Sequence, residues 1–140
     1  MNEPTTPRAV EIDAIIQAYA ALNRNDADGL VRDFDPQIVR IEFEGSPMAG
    51  AFHGIEAVRE HVIKGRSTWA EGACEPWRFA VVRDKVVASC HVRVRLKDQT
   101  DWLEGRTADV YTFRDGKVIE FRTFADEKDA LEYAGQNRER

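Results

Sequence analysis

The sequence predicts an α+β fold with N-terminal helices packed on a strongly curved, mostly antiparallel sheet, and three observations predict it. Apolar residues recur at helical spacing from Ile12 to Val62, the mark of amphipathic helices. From Ala73 onward the spacing falls to two, as in half-buried strands. Asp84-Lys85 and Asp115-Gly116 then punctuate the alternating stretch, the second as a hairpin signal of the primed-turn kind. Helices followed by a strand meander are the pattern of an antiparallel sheet with helices gathered on one face. With 140 residues, 43% of them hydrophobic, the chain suits one continuous core. It is read as a single domain, 1–140, with 1–6 and 136–140 as flexible ends.

Thr6-Pro7 is placed as an N-cap followed by proline at the first helical position. Helix one then carries Ile12, Ile15, Ile16, Tyr19 and Leu22 on its apolar stripe and runs to about Asn23. Asp26 caps a short second helix bearing Leu30, Val31 and Phe34, which Asp35-Pro36 stops, since the residue before proline is pushed out of the helical region. A strand fits Ile38 to Phe43. After the turn-rich Gly45 to Gly50, Ile55, Val58 and Val62 form the stripe of a third helix beginning near Gly54. Trp77, Phe79 and Val81 alternate up to the Asp84-Lys85 reversal, and Val86, Ala88, Cys90, Val92, Val94 and Leu96 alternate after it. A polar loop, Lys97 to Asp101, leads to a strand from Trp102 to Arg114, and a last strand spans Lys117 to Ala125. Asp126 caps a final helix holding Ala130, Leu131 and Ala134, with Gly135 suited to the left-handed position that ends it.

Charge and composition exclude several functions. A net charge of −5 and a pI near 5.3, with basic residues scattered among acidic ones, give no field for nucleic acid. The first residues, Met1 to Pro7, lack the basic and apolar segments of a secretion signal, and no apolar run approaches the roughly 18 residues of a membrane span. These features predict a cytoplasmic protein. Cys74 and Cys90 have no paired metal spacing and are expected as buried reduced thiols. His53, His61 and His91 show neither HxH nor HExxH spacing, so neither metal nor cofactor is expected. His53 is placed in the cap before helix three, and His61 either on its exposed side or toward a pocket. His91, Arg93 and Arg95 share a strand face that is solvated, faces a partner subunit, or forms a basic substrate row.

Asp109 is the most informative polar residue. Strict alternation puts it on one face with Thr107, Tyr111 and Phe113, opposite Ala108, Val110 and Thr112. An isolated carboxylate on an aromatic face is costly, so Asp109 is read as a hydrogen-bonded or protonated acid that reaches an apolar pocket with a raised pKa, or else as a satisfied structural aspartate or one on the opposite face. Glu42 offers two readings: either Ile38, Arg40 and Glu42 point inward, or Val39, Ile41 and Phe43 do, because a one-residue slip exchanges the faces. Tyr19 is either a core residue of helix one or a pocket hydroxyl. Trp69, Trp77, Trp102, Phe79 and Phe121 are core residues, some of which line any cavity.

Several stretches resemble the nuclear-transport-factor-2-like superfamily, above all its SnoaL-like and ketosteroid-isomerase-like branch of small bacterial proteins. They are Tyr19 to Leu30, His53-Gly54-Ile55-Glu56-Ala57-Val58-Arg59, Asp109 to Val118, and Ala125 to Leu131. The resemblance implies a cone-shaped α+β barrel enclosing an apolar pocket. It also implies a small apolar, aromatic or polyketide-like ligand and pairing into a homodimer through the sheet face that the helices leave open. Ser89, His91, Arg93 and Arg95 beside Ala108, Val110 and Thr112 would form that face. By the same resemblance Asp109 matches the isomerases' neutral oxyanion donor and Glu42 their general base. Aligned through Asn23, Tyr19 lies one residue from their tyrosine, about 100° around a helix. Arg106-Thr-Ala-Asp109 lacks the Arg-x-Asp spacing of the fold's epoxide hydrolases. The implied substrate pocket comprises Trp69, Trp77, Phe79, Tyr111, Phe113, Phe121 and His61. The implied function is small-molecule binding with cofactor-free proton transfer next to a carbonyl, by an isomerase or cyclase, or else binding or dimerisation without catalysis.

Overall fold

The computed structural model describes residues 8–136. Among these residues four helices and six strands follow in the order α1 (Ala9–Asn23), α2 (Ala27–Leu30), β1 (Phe34–Glu42), β2 (Gly50–His53), α3 (Ile55–Arg66), β3 (Trp69–Val82), β4 (Lys85–Leu96), β5 (Leu103–Arg114), β6 (Lys117–Phe124) and α4 (Glu127–Gly135). The strands form one curved sheet of order β2-β1-β6-β5-β4-β3. All neighbours are antiparallel except β1 and β6, which run parallel. The expected α+β cone is therefore the observed architecture, with the strand after α2 paired into the sheet.

The main core lies between α1–α3 and the concave sheet face. Ile15, Tyr19 and Ala21 of α1, Leu30 of α2 and Val58 of α3 pack there on Ile38, Val86, Ala88, Cys90, Tyr111, Phe113 and Phe121. Asn23 fixes the end of α1 to β3, its side-chain amide donating to the Cys74 carbonyl and its oxygen accepting from the Cys74 N–H, both at 2.9 Å. Asp26 caps α2 by accepting from the Gly29 N–H, and Asp126 caps α4 by accepting from the Asp129 N–H. Asp115 and Gly116 both hold positive φ, 53° and 81°, as a type I′ turn requires.

Several element limits differ from the sequence reading. Thr6-Pro7 lies outside the described residues, as do the expected flexible ends apart from Gln136; the N-cap position of α1 is Arg8. Ile16 is 41% exposed and leaves the α1 stripe. Helix α2 is one turn long, because Phe34 pairs with Val118 of β6 and so opens β1. Pro36 falls where that ladder skips register, a position where a missing N–H loses no bond. Gly50 to His53, read as turn and cap, form the short edge strand β2, and Gly54 takes the N-cap position of α3. The β3/β4 reversal sits at Arg83-Asp84, with Lys85 already in β4. Gly135 is the last residue of α4 and has no positive φ.

A second cluster lies on the opposite sheet face, where Ala130 and Ala134 of α4 cover Val87, Ala108 and Val110. Ser89 donates to Glu127 at the start of the same helix, and Arg78 pairs with that carboxylate. The face expected to be open for a partner is thus closed over Ser89, Ala108, Val110 and Thr112. Its outer part still exposes Trp77 and Trp102, at 50% and 38%, each lying under arginine side chains.

Candidate functional site

Strand pairing lines up the polar residues of the concave face in two adjacent rows. Glu42 pairs with Thr123, Thr123 with Asp109, and Asp109 with Ala88. One row along, Arg40 pairs with Phe121, Phe121 with Tyr111, and Tyr111 with Val86. Of the two readings of β1, the one with Ile38, Arg40 and Glu42 inward is the observed one: Ile38 is fully buried and Arg40 is 7% exposed.

Asp109 is sealed in the interior. Its Oδ2 accepts from the Tyr19 hydroxyl, its Oδ1 accepts from Thr123 Oγ1 at 2.5 Å, and Cys90 Sγ lies 3.9 Å away. Burial pushes the Asp109 carboxyl above its ordinary value, against the opposing pull of the Arg40 guanidinium and the two hydroxyl donors. Burial, and then the neighbouring Asp109 charge, pushes the Tyr19 hydroxyl well above the usual tyrosine range. Tyr111 is raised for the same two reasons. The Cys90 thiol is raised by its hydrogen bond with Cys74 and by burial, so both cysteines are buried free thiols as expected.

Arg40 stands between the two acids. Its guanidinium lies 3.1 Å from Glu42 Oε2, donates to the Ile41 and Phe121 carbonyls, and stacks 3.9 Å over the Phe121 ring, which itself stacks on Tyr111. Glu42 also accepts from Ser46 Oγ at 2.8 Å, and its Oε2 is 3.6 Å from His61 Nε2. His61, 7% exposed, is 3.0 Å from the Met48 carbonyl through the same nitrogen and packs on Phe52 with ring centres 3.9 Å apart. Burial lowers its pKa, helped by Arg40 and Lys64 and opposed by the Met48 carbonyl and Glu42. The neutral imidazole is therefore the favoured form.

A groove of about 340 Å³ opens beside His61, lined by Pro47, Met48, Ala49, Phe52, Ala57, Glu60, His61 and Lys64. Its volume falls at the lower end of small-molecule sites, and apolar walls with a few polar groups are their usual make-up. Asp109, Glu42 and Tyr19 are not among its lining residues. The cone interior around Asp109 is filled by side chains instead, so the expected aromatic pocket is packed core. Tyr111, Phe113 and Phe121 are buried, and Phe79 and Trp69 pack partly buried against them. Trp77 leaves that set because a bulge between Pro76 and Arg78 makes it an extra residue without a partner on β4. The bulge shifts the alternation, and Trp77 emerges on the outer face against Arg78 and Arg106. Among the described residues, no three His, Cys, Asp or Glu side chains gather as metal ligands.

The SnoaL-like domain model matches residues 15–121, which is more than half of the chain. The chain belongs to the SnoaL-like family. No match is found among curated proteins. Solved structures similar to this SnoaL-like chain include TerC co-crystallised with polyporic acid, 21% identical over 89% of this chain and 98% of that one, with a TM-score of 0.73. Another is a putative SnoaL-like polyketide cyclase from Jannaschia sp. CCS1, 14% identical over 97% and 99%, at 0.74. A third is a protein of ketosteroid-isomerase-like fold from Catenulispora acidiphila in complex with trimethylamine, 12% identical over 95% and 96%, at 0.73. At such identities the likeness establishes the fold alone.

The site of this SnoaL-like chain contains residues that the sequence reading left without a role. Arg40 was placed with Glu42, yet its position between both acids depends on β1 lying parallel to β6. Thr123 alternates with Phe121, so its face was legible and its partner was not. Ser46 and Met48 belong to the turn-rich loop, which was legible, and Phe52 to the edge strand β2, which was not; loop and strand together carry the groove. Among the described residues, no helix is long and apolar enough to cross a membrane.

Proposed function

We propose that this single-domain protein binds a small apolar or aromatic, polyketide-like molecule and, without a cofactor, moves a proton next to its carbonyl as an isomerase or cyclase. The observation that carries this reading is the Glu42–Thr123–Asp109 row, with one arginine between the two carboxyls and a groove beside its Glu42 end. Arg40 lies directly on Glu42, the carboxylate cast as base. Burial drives Asp109 toward the neutral acid that an oxyanion donor must be. Tyr19, whose hydroxyl donates to Asp109, is the second donor; an enolate reaches either group only by displacing the Tyr19 hydroxyl from the Asp109 carboxyl. The likeness to a putative polyketide cyclase and to a protein co-crystallised with polyporic acid supports the ligand class. The exposed Trp77 and Trp102 strip, outside the part covered by α4, is the proposed contact of a cytoplasmic homodimer.

A second reading, binding without catalysis, is favoured by one observation: both carboxyls are already occupied, Glu42 by Arg40 and Ser46, and Asp109 by Tyr19 and Thr123. Exchange of α-protons with solvent deuterium in a small β,γ-unsaturated cyclic ketone separates the two. Catalysis predicts exchange that falls at least about 100-fold in Glu42→Gln, the usual scale of a general base. A ketone that binds in the groove and exchanges no faster than in buffer supports binding alone.

A further inference from the structure

The acid–base row explains how charge is held inside the cone, yet Glu42 does not line the groove. His61 does, and it is the group that joins the two. One imidazole nitrogen, Nε2, is 3.0 Å from the Met48 carbonyl and 3.6 Å from Glu42 Oε2. A carbonyl oxygen can only accept, so the proton of the neutral ring sits on Nε2 and leaves Nδ1 as a lone-pair acceptor. That Nδ1 is buried and has no hydrogen-bond partner. An unmet acceptor in a side chain 7% exposed is unusual, because buried polar groups are nearly always paired. It lies in a ring that both touches the groove and contacts the Glu42–Arg40 pair. The charged groups around that ring are Glu42 and Arg40 from β1 and Lys64 from α3, with Glu60 also on the groove wall.

We infer that His61 is the residue that meets the ligand, its Nδ1 accepting a hydrogen bond from the hydroxyl of a one- or two-ring phenol or enol seated in the groove. The ligand keeps its proton, because burial holds the imidazole below its ordinary basicity and a phenol is a weak acid. Nε2 keeps its own proton on the Met48 carbonyl. For this contact Glu42, 3.6 Å from Nε2, is a positioning residue that helps to hold the tautomer. The walls fit the same ligand class: Pro47, Met48, Ala49, Phe52 and Ala57 supply apolar surface, and Phe52 supplies a ring face beside the imidazole. The inference rests on the groove being the ligand site, as proposed above.

The probes are 2-naphthol and naphthalene, which share a shape and differ by the donor. Amide spectra of the full chain locate binding, and long-range proton–nitrogen spectra of the imidazole report the His61 tautomer. The free protein is expected to show the Nε2–H tautomer. Saturating naphthol should move amides of Met48, Ala49 and Phe52 and shift the Nδ1 resonance toward a protonated nitrogen. Naphthol should bind about tenfold more tightly than naphthalene, the scale of one hydrogen bond to a buried acceptor. His61→Gln should erase that preference; the nitrogen spectra of the wild type decide the matter even where this variant folds poorly. Naphthol that moves the groove amides, leaves Nδ1 unchanged and binds no better than naphthalene overturns the role of His61 while the groove stands. An Nδ1–H tautomer in the free protein also overturns it. Groove amides unmoved by either probe overturn the inference together with the site on which it rests.

Discussion

Replacing Arg40 by methionine tests the electrostatics of the interior most sharply. Methionine keeps much of the stem's volume and can still pack on the Phe121 ring, so the change removes mainly the charge and its hydrogen bonds. Four interactions go: the 3.1 Å ion pair with Glu42, the two bonds to the Ile41 and Phe121 carbonyls, and the guanidinium stacked 3.9 Å over Phe121. Removing one partner of a buried pair costs about 3–5 kcal/mol, because the other charge is left uncompensated. Glu42 is 15% exposed at its side chain and keeps Ser46 and His61, which places the expected loss near the lower bound, about 3 kcal/mol. At roughly 3–4 °C per kcal/mol for a chain of this size, the melting temperature should fall by roughly 10 °C. Urea unfolding at neutral pH measures the loss directly. The double variant Arg40→Met, Glu42→Gln should recover most of it, since no unpaired charge remains. A single variant within about 1 kcal/mol of wild type, as for an exposed pair, or a double variant no more stable than the single, would refute the reasoning.

Asp109 predicts a pH dependence of definite sign. Its folded pKa is raised by burial, so its contribution to stability is fully present below the unfolded value of about 3.9 and is lost as pH rises through the folded value. Urea melts of wild type and Asp109→Asn should therefore diverge as pH rises above about 4, the wild type losing stability relative to the variant; a difference that stays constant contradicts the raised pKa. Gly72 holds φ +122°, and an added Cβ would lie 2.2 Å from the Arg93 carbonyl oxygen and 2.5 Å from Val94 Cα. Gly72→Ala should cost at least about 2 kcal/mol in thermal or urea unfolding, because both partners are backbone that cannot give way cheaply. Light scattering at micromolar concentration should return twice the 15.9 kDa chain mass, and Trp77→Glu with Trp102→Glu should return the monomer; a wild-type monomer across that range removes the proposed dimer.

What the sequence made legible follows from which forces are local. Caps such as Asp26 and Asp126, the Asp115-Gly116 turn and the period-two runs of β4 to β6 are set by neighbouring residues, and each was readable in advance. The inward face of Asp109 was equally readable, since alternation on β5 is unbroken from Thr107 to Thr112. Trp77 was misplaced because a single bulged residue inverts every face assignment beyond it. The shortness of α2 escaped because long-range pairing of Phe34 with Val118 overrides helical spacing. Arg40 as the shared counter-ion, and Thr123 as a second donor to Asp109, exist only through the order β1-β6-β5. Such neighbours are made by topology, and no local pattern encodes them. The groove beside His61 escaped for a related reason: its walls come from a loop, a four-residue edge strand and α3, which meet only in the folded chain.

The most direct test of the account is a crystal structure of the protein with 2-naphthol bound. The naphthol is expected between Phe52, Met48 and Ala57, its oxygen within hydrogen-bond distance of His61 Nδ1 and its rings on the apolar wall. Occupancy confined to the outer sheet face at Trp77 and Trp102, with the groove beside His61 empty at saturating naphthol, would contradict it.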